Sequence, residues 1–424
     1  MNLLATVFRG DFSRQVAHLT AGTALGQLIT IAVTPLLTRL YSPADLGVFG
    51  LYASFIGVAS VVVCWRLDLA VATARTSNEA AGLVALCLAV SVPTSLLLAL
   101  GLALLIQQQT LSFEMLSMWT VPLAVLGLAA TGVFGALRYW HVARHEFAGV
   151  SKALTLQGAG RAGASVAFGL AGGGWAGLVL GDLAGRLVGI RKLWVRAGSD
   201  IRNELGPIQE AGLLRRLGEA RRFPLVVLPS SVLDALAAAL PIPVIATRFG
   251  PASAGQFALV WRVATIPSAL IASSVADVFH AHAVAADSRD PALLAPLVKS
   301  TMKRLAVVAT LIYVPACAVA PAAFGWIFGA QWRPAGWLML LLLPMWWSAT
   351  VVSPLSRVLI VSGRPALKLV FDLCYLVLPM AALLAFREQG LERAVLAYGV
   401  AAALAFAIYA TLLVRVQSRR RGGG

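Results

Sequence analysis

Apolar residues in this chain occur in long stretches of about 20 positions, separated by short polar segments that carry most of the charges. A helix of that length crosses the roughly 30 Å of hydrocarbon in a bilayer. Twelve such stretches can be counted, which predicts an all-α integral membrane protein with about twelve transmembrane helices. Their approximate bounds are Val16–Thr38, Val48–Leu69, Leu83–Ile106, Leu116–Leu137, Ala153–Leu170, Trp175–Ile190, Phe223–Ala246, Ala254–Val278, Leu305–Phe328, Trp337–Ile360, Leu369–Phe386 and Ala394–Val414.

The fifth and sixth stretches give the weakest signal of a span. Both are short and rich in glycine, and only the four residues of Ala171-Gly172-Gly173-Gly174 separate them. Ten spans with one re-entrant hairpin are therefore an alternative to twelve spans.

The composition supports a membrane protein and excludes a soluble one. Residues of the set AVILMFWYC make up 59% of the 424 positions and charged residues make up 12%, whereas soluble domains have about 45–50% and about 25%. The formal net charge of +16 would indicate nucleic-acid binding in a soluble chain. Because the apolar stretches exclude a soluble chain, that charge needs another explanation.

The basic residues are divided unequally between the two sides of the predicted membrane. Sorting the 34 Lys and Arg residues onto alternating sides places 27 with the two termini, Arg138 and Arg186 among them, and five on the other side. Cytoplasmic segments carry the excess of Lys and Arg, so we predict that both termini are cytoplasmic. The other two, Arg161 and Arg262, are assigned to the interior of predicted spans and to neither side.

The two halves of the chain resemble each other. Residues 38–51 and 247–259, each in the turn between the first and second spans of its half, share seven identities with one gap at an offset of 208 or 209 positions. Six spans is an even number, so the two copies have the same orientation in the membrane, as in transporters that move one half against the other. We predict two pseudo-symmetric six-helix lobes, residues 1–190 and 223–424, joined by a cytoplasmic linker at 191–222; a basic cytoplasmic tail ends the second lobe.

No cofactor or metal site is expected. The four cysteines lie in apolar stretches without a CxxC spacing. His141 and His145 share one face of a polar connector but lack the further ligands that a metal needs. Residues 158–163 match the dinucleotide pattern GxGxxG, yet they lie inside a spanning stretch with no strand before it, which favours helix packing by small residues.

Several short segments carry a resemblance to a known family. They are Leu37–Gly47, Arg66–Asp68, Arg222–Pro224, Phe249–Pro251 and Phe328–Gly336. Together they resemble the Wzx-type oligosaccharide flippases of the multidrug/oligosaccharidyl-lipid/polysaccharide exporter superfamily, in scattered matches over nearly the whole chain. The resemblance implies a MATE-like exporter fold.

The resemblance also implies a function. A protein of this kind moves an undecaprenyl-pyrophosphate-linked oligosaccharide from the cytoplasmic to the periplasmic leaflet of the bacterial inner membrane, for O-antigen lipopolysaccharide, capsule or exopolysaccharide biosynthesis. Its expected partners are that lipid, membrane lipids and other polysaccharide assembly proteins, and nucleic acid is not among them. Many relatives have Glu where this chain has Asp68. Twelve predicted spans, compared with the fourteen of the lipid II flippase branch, argue against flipping of peptidoglycan precursors.

A flippase for a pyrophosphate-linked lipid needs cations inside the membrane, where ionisable residues are costly and indicate function. Arg161 and Arg262 are the leading candidates, because a planar guanidinium binds phosphate oxygens with two parallel bonds. Arg66 at the end of span two and Arg357 after Pro354 in span ten are further candidates. The alternative for each arginine is an ion pair with a fixed carboxylate, or an extended side chain that reaches the membrane surface.

Four aspartates could supply coupling or counter-charge. Asp234 and Asp372 lie alone in apolar stretches and are candidates for proton or sodium coupling, although Asp372 is also placed to pair with Lys368 one helical turn away. Asp68 and Asp277 end spans two and eight, where an inner gate or a structural contact is expected. From Asp234 and Asp372 we expect that transport is coupled to a proton or sodium gradient.

Two other functions are compatible with parts of the pattern. A multidrug cation antiporter of the same superfamily would share the fold, but its cavity would hold more carboxylates than arginines. A membrane polysaccharide polymerase or ligase would need a long outer loop, whereas the longest outer connector here is about Gln107 to Met115. We therefore expect a transporter without chemistry of its own, and not an enzyme.

Overall fold

The computed structural model describes residues 25–205, 218–289, 294–355 and 366–418, without the side chains of residues 269–278, 280–282, 284–289, 366 and 416–418. The described residues are almost all helical and contain no β-strand. The helices are α1 (Leu25–Leu40), α2 (Pro43–Val62), α3 (Leu67–Val71), α4 (Ser77–Gln107), α5 (Thr120–Ala143), α6 (Phe147–Leu170), α7 (Gly174–Leu205), α8 (Leu228–Ala239), α9 (Pro241–Arg289), α10 (Leu294–Phe328), α11 (Arg333–Leu341), α12 (Leu343–Val352), α13 (Ala366–Ala385) and α14 (Leu391–Ser418).

The chain forms two compact units, Met1–Ala235 and Leu236–Gly424. In the first unit, α6 packs along α7, α4 packs on α5, and α5 also contacts α7. In the second unit, α13 packs on α14, and α10 contacts α11, α12 and α14. Each unit is thus a helical bundle, as the sequence predicts for a two-lobed all-α protein.

Within the described residues, fewer than twelve spans satisfy length and composition. Seven described stretches are long and apolar enough to cross a membrane, and the pair α11 and α12, bent by 53°, makes an eighth. Helices α6 and α7 are not among them, yet their 24 and 32 residues extend over about 36 Å and about 48 Å. Both exceed the roughly 30 Å of hydrocarbon, which favours two full spans over a re-entrant hairpin.

The two copies of the repeated segment both break a helix and restart it at a proline. In the first copy, Ser42 caps α2 by accepting a bond from the backbone of Asp45, and the Asp45 carboxylate accepts one from the Ser42 backbone. Pro43 is the first residue of α2, where its missing N–H costs nothing. In the second copy, Gly250 interrupts α9 with a φ of 84°, a conformation that favours glycine, and Pro251 follows.

The predicted cytoplasmic linker is partly helical. Helix α7 continues without interruption beyond the predicted end of span six and ends at Leu205. This extension is fixed to the rest of the first unit, since the Asn78 side chain donates a 2.7 Å hydrogen bond to the carbonyl of Glu204. About half of the predicted linker is therefore a rigid extension of a spanning helix.

Glycines bring α6 and α7 into close contact. A Cβ atom on Gly185 would lie 2.7 Å from the carbonyl oxygen of Gln157 and 2.8 Å from the Cβ of Arg161. A Cβ on Gly160 would lie 3.3 Å from Val188. The GxGxxG segment therefore serves helix packing, and the close approach fixes the position of the Arg161 backbone opposite α7.

Candidate functional site

Charged side chains meet in the middle of the α6–α7 pair. The Arg161 guanidinium on α6 forms an ion pair with the Asp182 carboxylate on α7. The other carboxylate oxygen of Asp182 accepts a 2.8 Å bond from Nε of Arg186, one turn further along α7. The Asp182 side chain is 5% exposed, while that of Arg161 is 43% exposed. The carboxylate is thus a buried bridge between two arginines, the outer of which remains accessible.

Two neighbouring helices complete this mid-helix cluster, which we define as Tyr52, Thr131, Arg161, Asp182 and Arg186. Arg186 also donates a hydrogen bond to the hydroxyl of Thr131 on α5. Both arginines interact electrostatically with Tyr52 on α2. Four helices therefore hold the cluster, and its two arginines and one aspartate leave a net positive charge.

The cluster lies well inside α6 and α7, away from the ends of both helices. Asp182 is eight residues from the start of α7, which corresponds to about 12 Å along the axis, and Arg161 is nine residues, about 14 Å, from the end of α6. Both distances place the charged groups near the middle of a hydrocarbon layer of roughly 30 Å. At that depth, ionised groups are expensive and indicate a functional or pairing role.

A second group of charges, the helix-end cluster, comprises Arg66, Asp68, Arg138 and Tyr139. Asp68 interacts electrostatically with Arg66 and Arg138, and the Arg138 guanidinium lies 5.6 Å from the centre of the Tyr139 ring. Nε atoms of Arg66 and Arg138 are buried, and neither has a hydrogen-bond partner among the described residues. Each of these guanidinium groups thus has one buried N–H donor without a partner among the described residues.

One face of α5 connects the two clusters. Thr131 bonds Arg186, a Cβ on Gly135 would lie 3.6 Å from the Asp68 carboxylate, and Arg138 belongs to the helix-end cluster. Positions 131, 135 and 138 lie on the same side of a helix and extend over about 10 Å. The two clusters that this face connects contain four arginines and two aspartates, so positive charge is in excess.

The backbone around the helix-end cluster is strained. Trp65 and Arg66 have φ values of 51° and 60°, the left-handed region that few residues other than glycine adopt. This break between α2 and α3 sets Arg66 at the N-terminal boundary of α3. The predicted end of span two is thus an ordered turn that places Arg66 and Asp68 in one cluster.

The second unit contains two of the predicted site residues as described side chains. The Lys368 ammonium donates a 2.7 Å bond to Asp372, which is 2% exposed. The i,i+4 pair expected as the structural alternative is therefore present. Arg262 lies half-buried on α9 after Trp261, whose ring meets that of Trp346 edge-on at 5.0 Å. The roles of Arg262 and Asp372 in transport stay predictions.

Three predicted residues fall elsewhere. The Asp234 side chain is exposed on α8, so the burial expected of a lone carboxylate in an apolar stretch is not found. Arg357 and the side chain of Asp277 lie outside the described residues. The structure therefore joins Arg161 and Arg66 to charged clusters.

Sequence analysis missed three charged members of these clusters. Asp182 was not singled out, and Arg186, which was counted with the cytoplasmic side, lies twelve residues inside α7 with a side chain 15% exposed. Arg138 was likewise counted as a connector residue but belongs to α5. The i,i+4 spacing of Asp182 and Arg186 within a predicted span is a signal that could have identified this pair.

One histidine of the polar connector, His141, forms a structural contact. His141 is buried, its Nδ1 lies 2.6 Å from the Glu146 carboxylate and its Nε2 lies 3.2 Å from the Leu193 carbonyl. Within the described residues, no three His, Cys, Asp or Glu side chains are arranged to hold a metal ion. His141 thus ties the end of α5 to α7.

The sequence matches a family model, and the fold matches solved structures. Residues 36–336 match the model of a family described as polysaccharide biosynthesis protein. No curated protein matches the sequence. The lipid II flippase MurJ in its inward closed conformation superposes with a TM-score of 0.67 at 9% identity, over 94% of this chain and 86% of that one.

Two transporter structures match over almost their full lengths. A multidrug resistance MATE family transporter of the MOP superfamily, in an inward-facing conformation, has a TM-score of 0.57 at 15% identity over 96% of both chains. A MOP superfamily transporter from Pyrococcus furiosus has a TM-score of 0.58 at 15% identity, over 98% of this chain and 97% of that one. At such identities the likeness concerns the fold, and it confirms the expected MATE-like architecture.

Proposed function

Because this chain belongs to the polysaccharide biosynthesis protein family, we propose that it flips an undecaprenyl-pyrophosphate-linked oligosaccharide between membrane leaflets. The direction is from the cytoplasmic to the periplasmic leaflet of a bacterial inner membrane, and the mechanism is alternating access. Both termini are cytoplasmic in this proposal. The product supplies O-antigen, capsule or exopolysaccharide assembly.

The observation that carries the proposal is the excess of arginine over aspartate along one face of α5. Arg66, Arg138, Arg161 and Arg186 accompany Asp68 and Asp182 in the first unit. A pyrophosphate crossing a low-dielectric layer needs cationic donors along its path, and guanidinium groups bind phosphate with paired, charge-assisted bonds. Arginines one to two helical turns apart would let the anion pass from one site to the next.

Asp182 gives Arg161 a defined resting state in this scheme. An arginine without a partner at mid-membrane depth would be costly, and the buried carboxylate supplies the counter-charge while the site is empty. The 43% exposure of the Arg161 side chain leaves it accessible to a phosphate oxygen. Arg186, which also bonds Asp182, then keeps that carboxylate paired while Arg161 engages the substrate.

The same observation weighs against a multidrug cation antiporter. A site for cationic drugs would be expected to hold more carboxylates than arginines, and the clusters of the first unit have the opposite balance. The matched structures are transporters and a flippase and not enzymes, which weighs against a polymerase or ligase. Coupling to a proton or sodium gradient through Asp234 or Asp372 remains part of the proposal.

The test is deletion of the gene followed by lipid analysis. Undecaprenyl-linked oligosaccharide should accumulate on the cytoplasmic leaflet while surface polysaccharide is lost, and a plasmid copy of the wild-type chain should restore both. Unchanged surface glycan together with altered resistance to cationic dyes would contradict the flippase and support the antiporter.

A further inference from the structure

A long groove opens on the second unit between α10, α12 and α14. Its apolar part has a volume of about 520 Å³, and its walls are almost entirely hydrocarbon. Side chains that line it include Pro344, Trp347, Val351, Leu404 and Ala407. The Trp347 indole donates a 2.9 Å hydrogen bond to the Thr310 hydroxyl, which fixes this wall to α10.

A basic cavity adjoins one end of this apolar groove. It has a volume of about 440 Å³ and is lined by Lys299 and Lys303 on α10 together with Val414 near the end of α14. Met302 lines both cavities, so the two adjoin at this side chain. We call the basic cavity the lysine end.

The two lysines form an unneutralised pair of like charges. They are four residues apart on α10, both exposed, and no carboxylate of the described residues lies within ion-pair distance of either ammonium. Neighbouring like charges on a helix repel. A bound anion would remove that repulsion, and the cavity shape directs it to the place where the apolar groove begins.

The dimensions fit a membrane lipid. The lining runs along α14 from Val400 to Val414, about 21 Å of helix. One leaflet contributes about 15 Å of hydrocarbon, half the core thickness. The groove is thus long enough to hold an acyl chain along its whole depth in one leaflet, with the phosphate at the lysine end.

We propose that this groove is a binding site for an anionic phospholipid of the leaflet on the side of the C-terminus. Lys299 and Lys303 hold the lipid phosphate, and one acyl chain lies against Trp347, Leu404 and Ala407. Basic pockets between transmembrane helices are known to select anionic head groups. The site is assigned to a resident lipid and not to the transported one, because its lining includes no residue of the arginine clusters.

The test measures lipid retention by the purified full chain. The protein is delipidated in detergent, reconstituted in nanodiscs that contain phosphatidylglycerol and phosphatidylcholine, re-extracted, and its bound lipid is identified by mass spectrometry. Wild type should retain phosphatidylglycerol in preference to phosphatidylcholine. Lys303→Gln should lower the apparent affinity for phosphatidylglycerol about fivefold, and Arg304→Gln, the adjacent exposed cation outside the groove, should not.

A second pair of variants tests the apolar part. Ala407→Trp fills the groove and should displace the lipid, whereas Ile408→Trp adds the same ring at the next exposed position outside the lining and should not. Thermal unfolding in detergent checks that all four variants fold. Equal retention of both lipids, equal effects within either pair, or recovery of a polyprenyl phosphate as the bound lipid would overturn the proposal. Export of polysaccharide is not the readout, so failure of the flippase assignment leaves this test intact.

Discussion

Arg161 and Asp182 form an ion pair across the α6–α7 contact, and Asp182 is the buried member of that pair. The contact depends on Gly185, which lets α7 approach the backbone of Arg161. One side chain therefore has two roles in this account, as counter-charge to a buried carboxylate and as a ligand for the transported anion. Variants that change the two roles separately can distinguish them.

The stability role predicts a difference between single and double substitution. Arg161→Gln removes one of the two partners of a buried carboxylate and should cost about 1–3 kcal/mol, because Asp182 retains Arg186. Arg161→Gln combined with Asp182→Asn should cost more than the single variant, because it also leaves the buried Arg186 guanidinium without its carboxylate. Thermal unfolding in detergent measures both. Equal destabilisation by the single and double variants would contradict the pairing.

Gly185→Ala should separate α6 from α7. The added Cβ would lie 2.7 Å from a backbone oxygen and 2.8 Å from the Arg161 Cβ, so a helix must shift, at a cost of about 1–3 kcal/mol. Gly163→Ala on α6 is the matched control, since its Cβ meets no atom within 4 Å, and it should be neutral or stabilising. Unfolding temperature and the level of protein in the membrane give the readout, and similar behaviour of the two variants would refute the close contact.

The hydrogen bond of the Tyr41 hydroxyl should make a pH-dependent contribution to stability. Its hydroxyl, in the turn between α1 and α2, donates a 2.6 Å bond to the Ser165 carbonyl. Burial raises the pKa of Tyr41 above its ordinary value of 10.0, and the Asp45 carboxylate adds to the shift. A raised folded-state pKa means that the contribution is complete below about pH 10 and is lost above it.

Tyr41→Phe should therefore cost about 1 kcal/mol at neutral pH and less at pH values above about 10. Unfolding temperatures of wild type and variant, measured across that range, should converge as the pH rises. A difference that stays constant or grows with pH would show that the hydroxyl does not act as the neutral donor.

Substitution of His141, near the end of α5, should lower the stability of the first unit. Its buried ring places Nδ1 2.6 Å from the Glu146 carboxylate and Nε2 3.2 Å from the Leu193 carbonyl. His141→Ala should cost about 1–3 kcal/mol and expose the α5–α6 connector to proteases. His145→Asn is the control, because His145 is exposed at a φ of 58° that Asn also adopts. Equal protease sensitivity of the two variants would argue against a clamp.

The fold follows from the sequence to a large extent, because twenty-residue apolar stretches and the division of basic residues are strong constraints. The site follows less well. Arg161 is visible as a charge within a span, and so are Asp182 and Arg186. Their contact across two helices is not visible, because it depends on the rotation of α6 and α7 about their axes, which Gly160 and Gly185 set by close packing.

Boundaries were the other source of error. Arg138 and Arg186 lie near the predicted inner ends of spans. At such positions a polar residue is easily assigned to the connector that follows. The helices continue further than the apolar pattern does, to Ala143 and Leu205. Helical hydrogen bonding extends beyond the hydrocarbon layer wherever the sequence lacks a breaker, so hydropathy alone underestimates helix length.

The central claim, that Arg161 binds the transported anion, is tested most directly by complementation with the double variant, which keeps the net charge of the mid-helix cluster but removes the Arg161 guanidinium. A deletion strain carrying Arg161→Gln with Asp182→Asn is compared with one carrying Arg202→Gln, an exposed arginine on α7. Surface polysaccharide and cytoplasmic lipid-linked oligosaccharide are measured at equal protein levels. We predict that the double variant loses export and accumulates the lipid-linked intermediate, whereas Arg202→Gln behaves as wild type. Wild-type export by the double variant would contradict the account and leave Arg161 with a structural role alone.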